Sequence, residues 1–451
     1  MIMKKLAQVV CFSLSLMLFI SPTFAAVKAG SACSKAGIKS VSGGKSYTCI
    51  KSGKKLVWDK GVLVPVAKPV PSASSASAPV SPVVVADPTI SAKSIFADPS
   101  VCQIKSSIEH EANLGFGVSP FYLKSTGNVN LGIIFTTYTD APGDDRAFDE
   151  YTKVQFPNMA KFYSTASYGK LNISLTTNKK YYNINKSSAS YNLMAMNETS
   201  RIAEVANDAV NAAKDDYDFS KIDGVLVVMP SSVKAVDLGA MGTQINVAGK
   251  TIFQAITAAY INPSTKEQVK PLFLTHEIGH NFGLPHPLKQ DKGYIWDVMF
   301  WEIVPAADLF GWEKYILSWI NPAQVDCLPS VPSEAVTDFL EATELGSSNS
   351  KLAVVKLSDS KLLVAESRRK AGNDDLTASE EGVLVYTVEP NLGSNNGPIK
   401  LVTMGKPSHN ANGNQLMVAT LQEGESVAVE GVKISVLKQA KSGDFISISK
   451  A

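Results

Sequence analysis

The sequence predicts an α/β or α+β domain, read as α+β with a twisted sheet and long helices, followed by a small all-β domain at the C-terminus. Three observations predict it. Between residues 129 and 320, strand-like apolar runs alternate with runs at helical spacing. Within that stretch, 198–214 reads as an amphipathic helix with Ile202, Val205, Ala206, Ala209 and Val210 on one face. Beyond Pro329 the helical pattern fades, and short apolar runs are separated by Gly, Asn and Asp.

At the N-terminus, Lys4 and Lys5 precede an apolar stretch over 6–20, and Thr23-Phe24-Ala25 follows Pro22. This layout predicts a secretory signal peptide over 1–25, cleaved after Ala25, with an uncleaved membrane anchor as the alternative. A secreted, extracellular protein is the expectation. Export gives the remaining cysteines a role. Cys33 and Cys49 share one small segment, and Cys102 and Cys327 flank a large one, so the expected disulfides are Cys33–Cys49 and Cys102–Cys327.

Residues 26–62 form a small basic module with eight Lys against the single acid Asp59. Short strands are expected near 47–50 and 56–58, and a disulfide compensates for a core this small. Its charge suits an anionic cell-wall or surface polymer, and a solvated spacer is the alternative. Residues 63–99 are rich in Pro, Ala, Ser and Val and read as an extended linker. A larger domain then runs over 100–330. It carries strands at 129–139, 171–176, 225–229 and 252–260, and a helix over 146–167 that bends near Pro157. The β-domain over 331–451 has strands at 352–357, 361–366, 382–388, 416–420 and 432–437.

Composition excludes several classes. Of 451 residues, 45% are hydrophobic and 19% charged, which is too apolar for a mainly disordered chain. Only the N-terminal run is long enough to concern a membrane, which excludes a multi-span membrane protein. A formal charge of +2 gives no reason to expect nucleic acid.

The chemistry is concentrated at 275–286, Thr-His276-Glu277-Ile-Gly-His280-Asn-Phe-Gly283-Leu-Pro-His286. A helix is expected over 270–283. His276 and His280, four apart, then project from one face and reach one metal ion. Glu277 stands beside the first ligand, where it polarises a water as general base. Gly283 ends the helix with a left-handed turn, and His286 arrives from outside it as the third ligand. Three nitrogens and an open position are the layout of a catalytic zinc site. The activity implied by the resemblance of this string to the metzincin peptidases is hydrolysis of peptide bonds by a zinc endopeptidase acting on proteins or peptides. The alternative is a cell-surface binding protein that uses the peptidase fold as a scaffold and binds through residues 26–62.

This string resembles the zinc signature of the metzincin peptidases. That resemblance implies a Met-containing turn beneath the metal, for which Met299 is the candidate. Some metzincins carry a Tyr two residues later. Trp301 stands there in this chain, and Tyr294 is the nearest substitute.

More of the chain, about residues 129–390, is similar to the immune inhibitor A-like secreted bacterial metallopeptidases. The stretches that carry this are Phe162-Tyr163-Ser-Thr-Ala-Ser167-Tyr168-Gly169, the histidine motif, Trp296–Met299, Phe310-Gly311-Trp312-Glu313-Lys314, Glu366-Ser-Arg368 and 381–386. Members of that family often have Asp where this chain has His286, and the resemblance implies recruitment of a later carboxylate, here Glu302 or Glu313. His286 is the preferred ligand, because imidazole suits zinc and the spacing fits.

Weaker signals remain. Asp140, Asp144, Asp145, Asp149 and Glu150 form an acidic cluster that suggests Ca2+, although the spacing is not that of a calcium loop and a solvated turn is the alternative. His110 and His409 stand alone, and Gly239 and Gly242 lack a phosphate-loop pattern.

Overall fold

The computed structural model describes residues 28–33, 35–42, 45–63, 86–108, 111–117, 121–193, 199–233, 243–247, 249–258, 272–287, 296–299, 308–402, 406–409 and 415–451. The signal-peptide expectation, most of the linker, His110, Gly239, Gly242, Tyr294, Trp301 and Glu302 lie outside these residues. The chain divides after Val84 into two compact units.

In the first unit, strands Lys39–Ser42, Lys55–Trp58 and Val62–Leu63 all pair antiparallel with Lys45–Ser52. Cys33 and Cys49 form a disulfide, and Cys49 is the buried anchor of the small sheet. The Asp59 carboxylate accepts the backbone N–H groups of Thr48 and Gly61, which fixes the last turn. Lys28, Lys35, Lys39, Lys51, Lys54, Lys55 and Lys60 are all exposed.

The second unit, Val85–Ala451, contains a five-stranded sheet in the order Leu171–Ile184, Gly127–Tyr138, Gly224–Met229, Lys250–Ala258, Thr243–Val247. The first three pairings are parallel and the last is antiparallel. The central strand Gly224–Met229 is buried along its whole length, as expected of a parallel strand covered on both faces. Alternate residues face opposite layers. Ile134, Val225 and Val227 pack against Val205, Ala206, Ala209 and Val210 of the helix Thr199–Ala213. Leu131, Ile133, Phe135, Leu226 and Val228 pack against Tyr151, Met159, Phe162 and Tyr163, and against Leu274 and Ile278 of the helix Phe273–Asn281. The result is a mixed α/β arrangement with a mostly parallel sheet. Its helices are shorter than the α+β expectation had them. The bend expected near Pro157 is a π-helical segment, Glu150–Gln155, followed by the helix Phe156–Ala166. Pro157 has no N–H to donate, and the wider turn before it absorbs the missing bond.

From Val325 onward every named element among the described residues is a strand. One sheet runs Val325–Leu328, Leu352–Ser358, Lys361–Arg368, Gly382–Val388, Ile399–Leu401, and another runs Val336–Glu341, Gly443–Lys450, Val432–Ala440, Ser426–Val429. Their inner faces share a core of Leu340, Val355, Leu363, Val383, Val385, Ile434, Ile446 and Ile448. The outer face of the first sheet is buried too. Its Val354, Leu362, Val364, Leu384 and Tyr386 pack on Trp296, Phe310, Trp312 and Tyr315. Strand Val325–Leu328 pairs with 352–355 across the boundary expected near residue 330. Residues 91–97, expected as linker, are hydrogen-bonded to this region. Ser91 N–H donates to Thr337 O and Ala97 N–H to Cys327 O. The Cys102–Cys327 disulfide closes beside them.

Candidate metal centre

The helix Phe273–Asn281 is buried at every residue except Glu277. His276 and His280 are 5% and 3% exposed. His286, beyond the helix, turns back onto them. Its ring centroid lies 5.1 Å from that of His276 and 4.6 Å from that of His280. One nitrogen from each of the three lies within 4.8 Å of the others. The three expected ligands thus converge on one point.

Hydrogen bonds set which nitrogen faces that point. His276 Nδ1 lies 2.9 Å from Val298 O, and His280 Nδ1 lies 2.7 Å from Leu284 O. Carbonyl oxygens only accept, so both Nδ1 atoms carry the proton and each Nε2 presents its lone pair. His276 Nε2 and His286 Nε2 then approach to 3.1 Å. Two imidazole nitrogens at this distance require a proton or a cation between them, and an all-imidazole donor set suits a transition-metal ion of the zinc type. Burial, together with the neighbouring His276 and His286 rings, holds His280 well below its usual pKa and favours its neutral form.

The turn after the helix supplies the third nitrogen. Gly283 has φ +88°. Leu284 N–H donates to Gly279 O and Gly283 N–H to His280 O, the paired bonds of a Schellman cap. A Cβ on Gly283 would also lie 2.9 Å from the Tyr122 ring. Glycine here is required by conformation and by space.

Met299 is fully buried, and its sulfur packs under the helix at Gly279. Its N–H donates to Asp297 Oδ1 at 2.6 Å. Asp297 is paired with Glu313, and both are buried. Burial pushes the Asp297 carboxyl up to about 6 and Glu313 well above its usual value. Glu313 Oε2 accepts the Phe310 N–H at 3.1 Å. Glu313 is thus engaged with Asp297 and the Phe310 N–H and is not among the residues that converge with the histidines. The acids weighed for Ca2+ have other partners. Asp140 accepts from Ser187 and Ser188, Asp144 pairs with Arg146, and Asp149 pairs with Lys153. Among the described residues only the three histidines form a group able to hold an ion.

Two supports have no signal in the motif. Ser394 Oγ lies 3.0 Å from His286 N and 3.1 Å from His286 Nδ1. Arg368, fully buried among Glu344, Glu366 and Asp374, ties the β-sheet to the segment under the histidine cluster. Its Nη2 reaches Trp296 O, and Asp374 Oδ1 accepts the Asp308 N–H. Glu366-Ser-Arg368 was visible as a resemblance, but its role was not.

Two buried imidazoles on a short helix and a part-buried third from the turn beyond it form a cluster compatible with metal binding, beside Glu277, the one residue of that helix that is not buried. Residues 149–356 match the family model for gametolysin peptidase M11, and this match supports a peptidase hydrolase of a metallopeptidase family. Among curated proteins none matches. Among solved structures, the chain is similar to catalytically inactive OgpA from Akkermansia muciniphila in complex with an O-glycopeptide substrate, glycodrosocin. The identity is 12%, over 68% of this chain and 96% of that one, with a TM-score of 0.27. Wild-type OgpA from the same organism matches in two crystal forms. One shows 14% identity over 68% and 96% of the two chains, and the other 13% over 68% and 95%, both with a TM-score of 0.25.

Proposed function

We propose that the protein is a secreted zinc-dependent endopeptidase with a metzincin-like catalytic domain and a C-terminal all-β domain. The observation that carries this reading is the convergence of His276, His280 and His286, with the tautomers of the first two fixed by carbonyls, beside Glu277. When bound, zinc supplies Lewis acidity at that point. Glu277 accepts a proton from the attacking water as the scissile carbonyl is hydrated, and returns it to the leaving amine. It is suited to this because it alone on its helix is not buried. Met299 under the helix, the motif's resemblance to the metzincin zinc signature and the wider similarity of residues 129–390 to immune inhibitor A-like enzymes point the same way. The two disulfides support an oxidising compartment, hence secretion. The exposed lysines of 28–60 favour a second role, attachment to an anionic surface polymer, which also stands as the alternative if the fold is only a scaffold.

The test is cleavage of a mixed peptide library by the zinc-loaded protein and by its Glu277→Ala variant. Cleavage by the first alone, with zinc held by both, is the expected result. Equal cleavage by the variant overturns the role of Glu277. Silence from both, with zinc bound, favours the surface-binding reading.

A further inference from the structure

Each of the three imidazoles has an outer partner, and the third differs in kind. His276 and His280 hold their Nδ1 protons on backbone carbonyls, Val298 O and Leu284 O. Both of those carbonyls belong to the peptidase segment itself. His286 Nδ1 instead meets a side chain 108 residues further along, Ser394. Ser394 lies in the loop between strands Gly382–Val388 and Ile399–Leu401 of the β-sheet.

The contact is a clamp rather than a single bond. Ser394 Oγ accepts the His286 backbone N–H at 3.0 Å. Asn395 N–H donates to His286 O at 3.3 Å, and Ile399 N–H to Pro287 O at 3.0 Å. Backbone on both sides of the imidazole is thus fixed by this loop and the first residue of the strand that follows it. A hydroxyl oxygen has two lone pairs, so Ser394 Oγ can accept from the ring as well as from the backbone. When Nδ1–H donates to it, Nε2 of His286 is left with a lone pair aimed at the other two rings. A carbonyl enforces that tautomer. A hydroxyl also permits the opposite one, so the ring of His286 is oriented by Ser394 but its proton is placed by the ion.

We infer that Ser394 is a positioning residue for the third metal ligand, and that the ion's affinity is set in part by this β-sheet loop. The inference rests on the reading of the three histidines as a metal centre. Outer partners of ligating imidazoles change metal affinity by about 10–100-fold when removed.

The test uses the full-length secreted protein. Its Zn2+ affinity is measured by competition with a chromophoric chelator, and the Co2+ form is followed by its visible spectrum. Ser394→Ala is expected to weaken Zn2+ by about 10–100-fold, with only a small fall in the thermal midpoint of the metal-free protein from the lost His286 N–H bond. Ser394→Thr, which keeps the hydroxyl, is expected to recover affinity to within a few-fold. In a His286→Ala background, Ser394→Ala is expected to change nothing further, because its effect passes through the imidazole. Wild-type affinity in Ser394→Ala overturns the inference, and so does a Ser394→Thr protein as weak as Ser394→Ala. An equal further loss in the His286→Ala background also overturns it, since that outcome is a packing effect. If the wild-type chain takes up no Zn2+, or if His286→Ala binds as tightly as wild type, the metal reading itself fails and the inference falls with it. Those outcomes are distinct from a wild-type-like Ser394→Ala on an otherwise normal site.

Discussion

The Met299 sulfur occupies the space that a Cβ on Gly279 would need, so the histidine helix and the segment below it touch through the absence of a side chain. Tyr163 closes the same spot, with its hydroxyl 3.1 Å from that Cβ position and donating to Thr275 O at 2.6 Å. Gly279→Ala gains helix propensity of about 1 kcal/mol but overpacks a filled core, at a cost of about 1–3 kcal/mol. The net effect is destabilising and displaces His280. A lowered urea midpoint with weakened Zn2+ binding is the expected result, partly relieved by adding Met299→Ala. A Gly279→Ala protein at least as stable as wild type would show that the two surfaces are not in contact.

Gly283→Ala acts at the next turn. The residue holds φ +88°, and a Cβ there meets Tyr122 at 2.9 Å. The left-handed conformation alone costs an L-residue about 1–2 kcal/mol. The same turn presents Leu284 O to His280 and carries the chain to His286. The variant is expected to lose both stability and Zn2+ affinity. Adding Tyr122→Ala should return only the steric part. A full return would mean that backbone conformation contributes nothing.

These two positions mark what was legible in the sequence. Histidines at a spacing of four on an apolar helix, followed by a glycine, fix local geometry, and local geometry can be read from spacing. The strand Gly224–Met229 was legible for the same reason, as an unbroken apolar run ended by proline. Ser394 was not. Its loop reads Asn-Leu-Gly-Ser-Asn-Asn-Gly, the composition of any solvated turn, and its partner lies 108 residues away. The role of Arg368 was equally silent, because a charged residue in a strand signals an exposed face unless its three partner acids are known in advance. The end of the linker was missed because Ser91 and Ala97 dock through backbone groups, which composition does not register.

The Asp297–Glu313 pair gives a pH dependence. Asp297 Oδ2 and Glu313 Oε1 are buried without a donor among the described residues, and one shared proton satisfies both. Both carboxyls are raised above their usual values by burial, Asp297 to about 6. The folded state therefore binds protons that the unfolded chain has released, and stability falls as pH rises. The contribution is fully present below the unfolded carboxyl range and is lost as pH climbs through about 6. Glu313→Gln keeps the shape and donates an amide hydrogen in place of the shared proton. In metal-free protein, the fall in urea midpoint from pH 4 to pH 7 is expected to be shallower in the variant. His280 titrates in both proteins and cancels in the comparison. Parallel pH profiles would mean that the pair does not share a proton.

Arg368 is the strongest test of how the β-sheet supports the metal. Its guanidinium pairs with Glu344 at 2.8 Å, Glu366 at 2.9 Å and Asp374 at 2.7 Å, all fully buried at the side chain. Arg368→Met leaves these carboxylates without their cation, and breaking a buried ion pair from one side costs about 3–5 kcal/mol. The effect also travels. Asp374 Oδ1 holds the Asp308 N–H, Asp308 O holds the Val298 N–H, and Val298 O holds His276 Nδ1. Loss of Arg368 is therefore expected to lower the urea midpoint and to loosen Zn2+ together. Lowering the pH towards 4 should shrink the stability deficit, because protonation neutralises the stranded acids. A packing defect alone would give the same deficit at every pH. A deficit independent of pH, with Zn2+ affinity unchanged, would show that the sheet covers the site without supporting it.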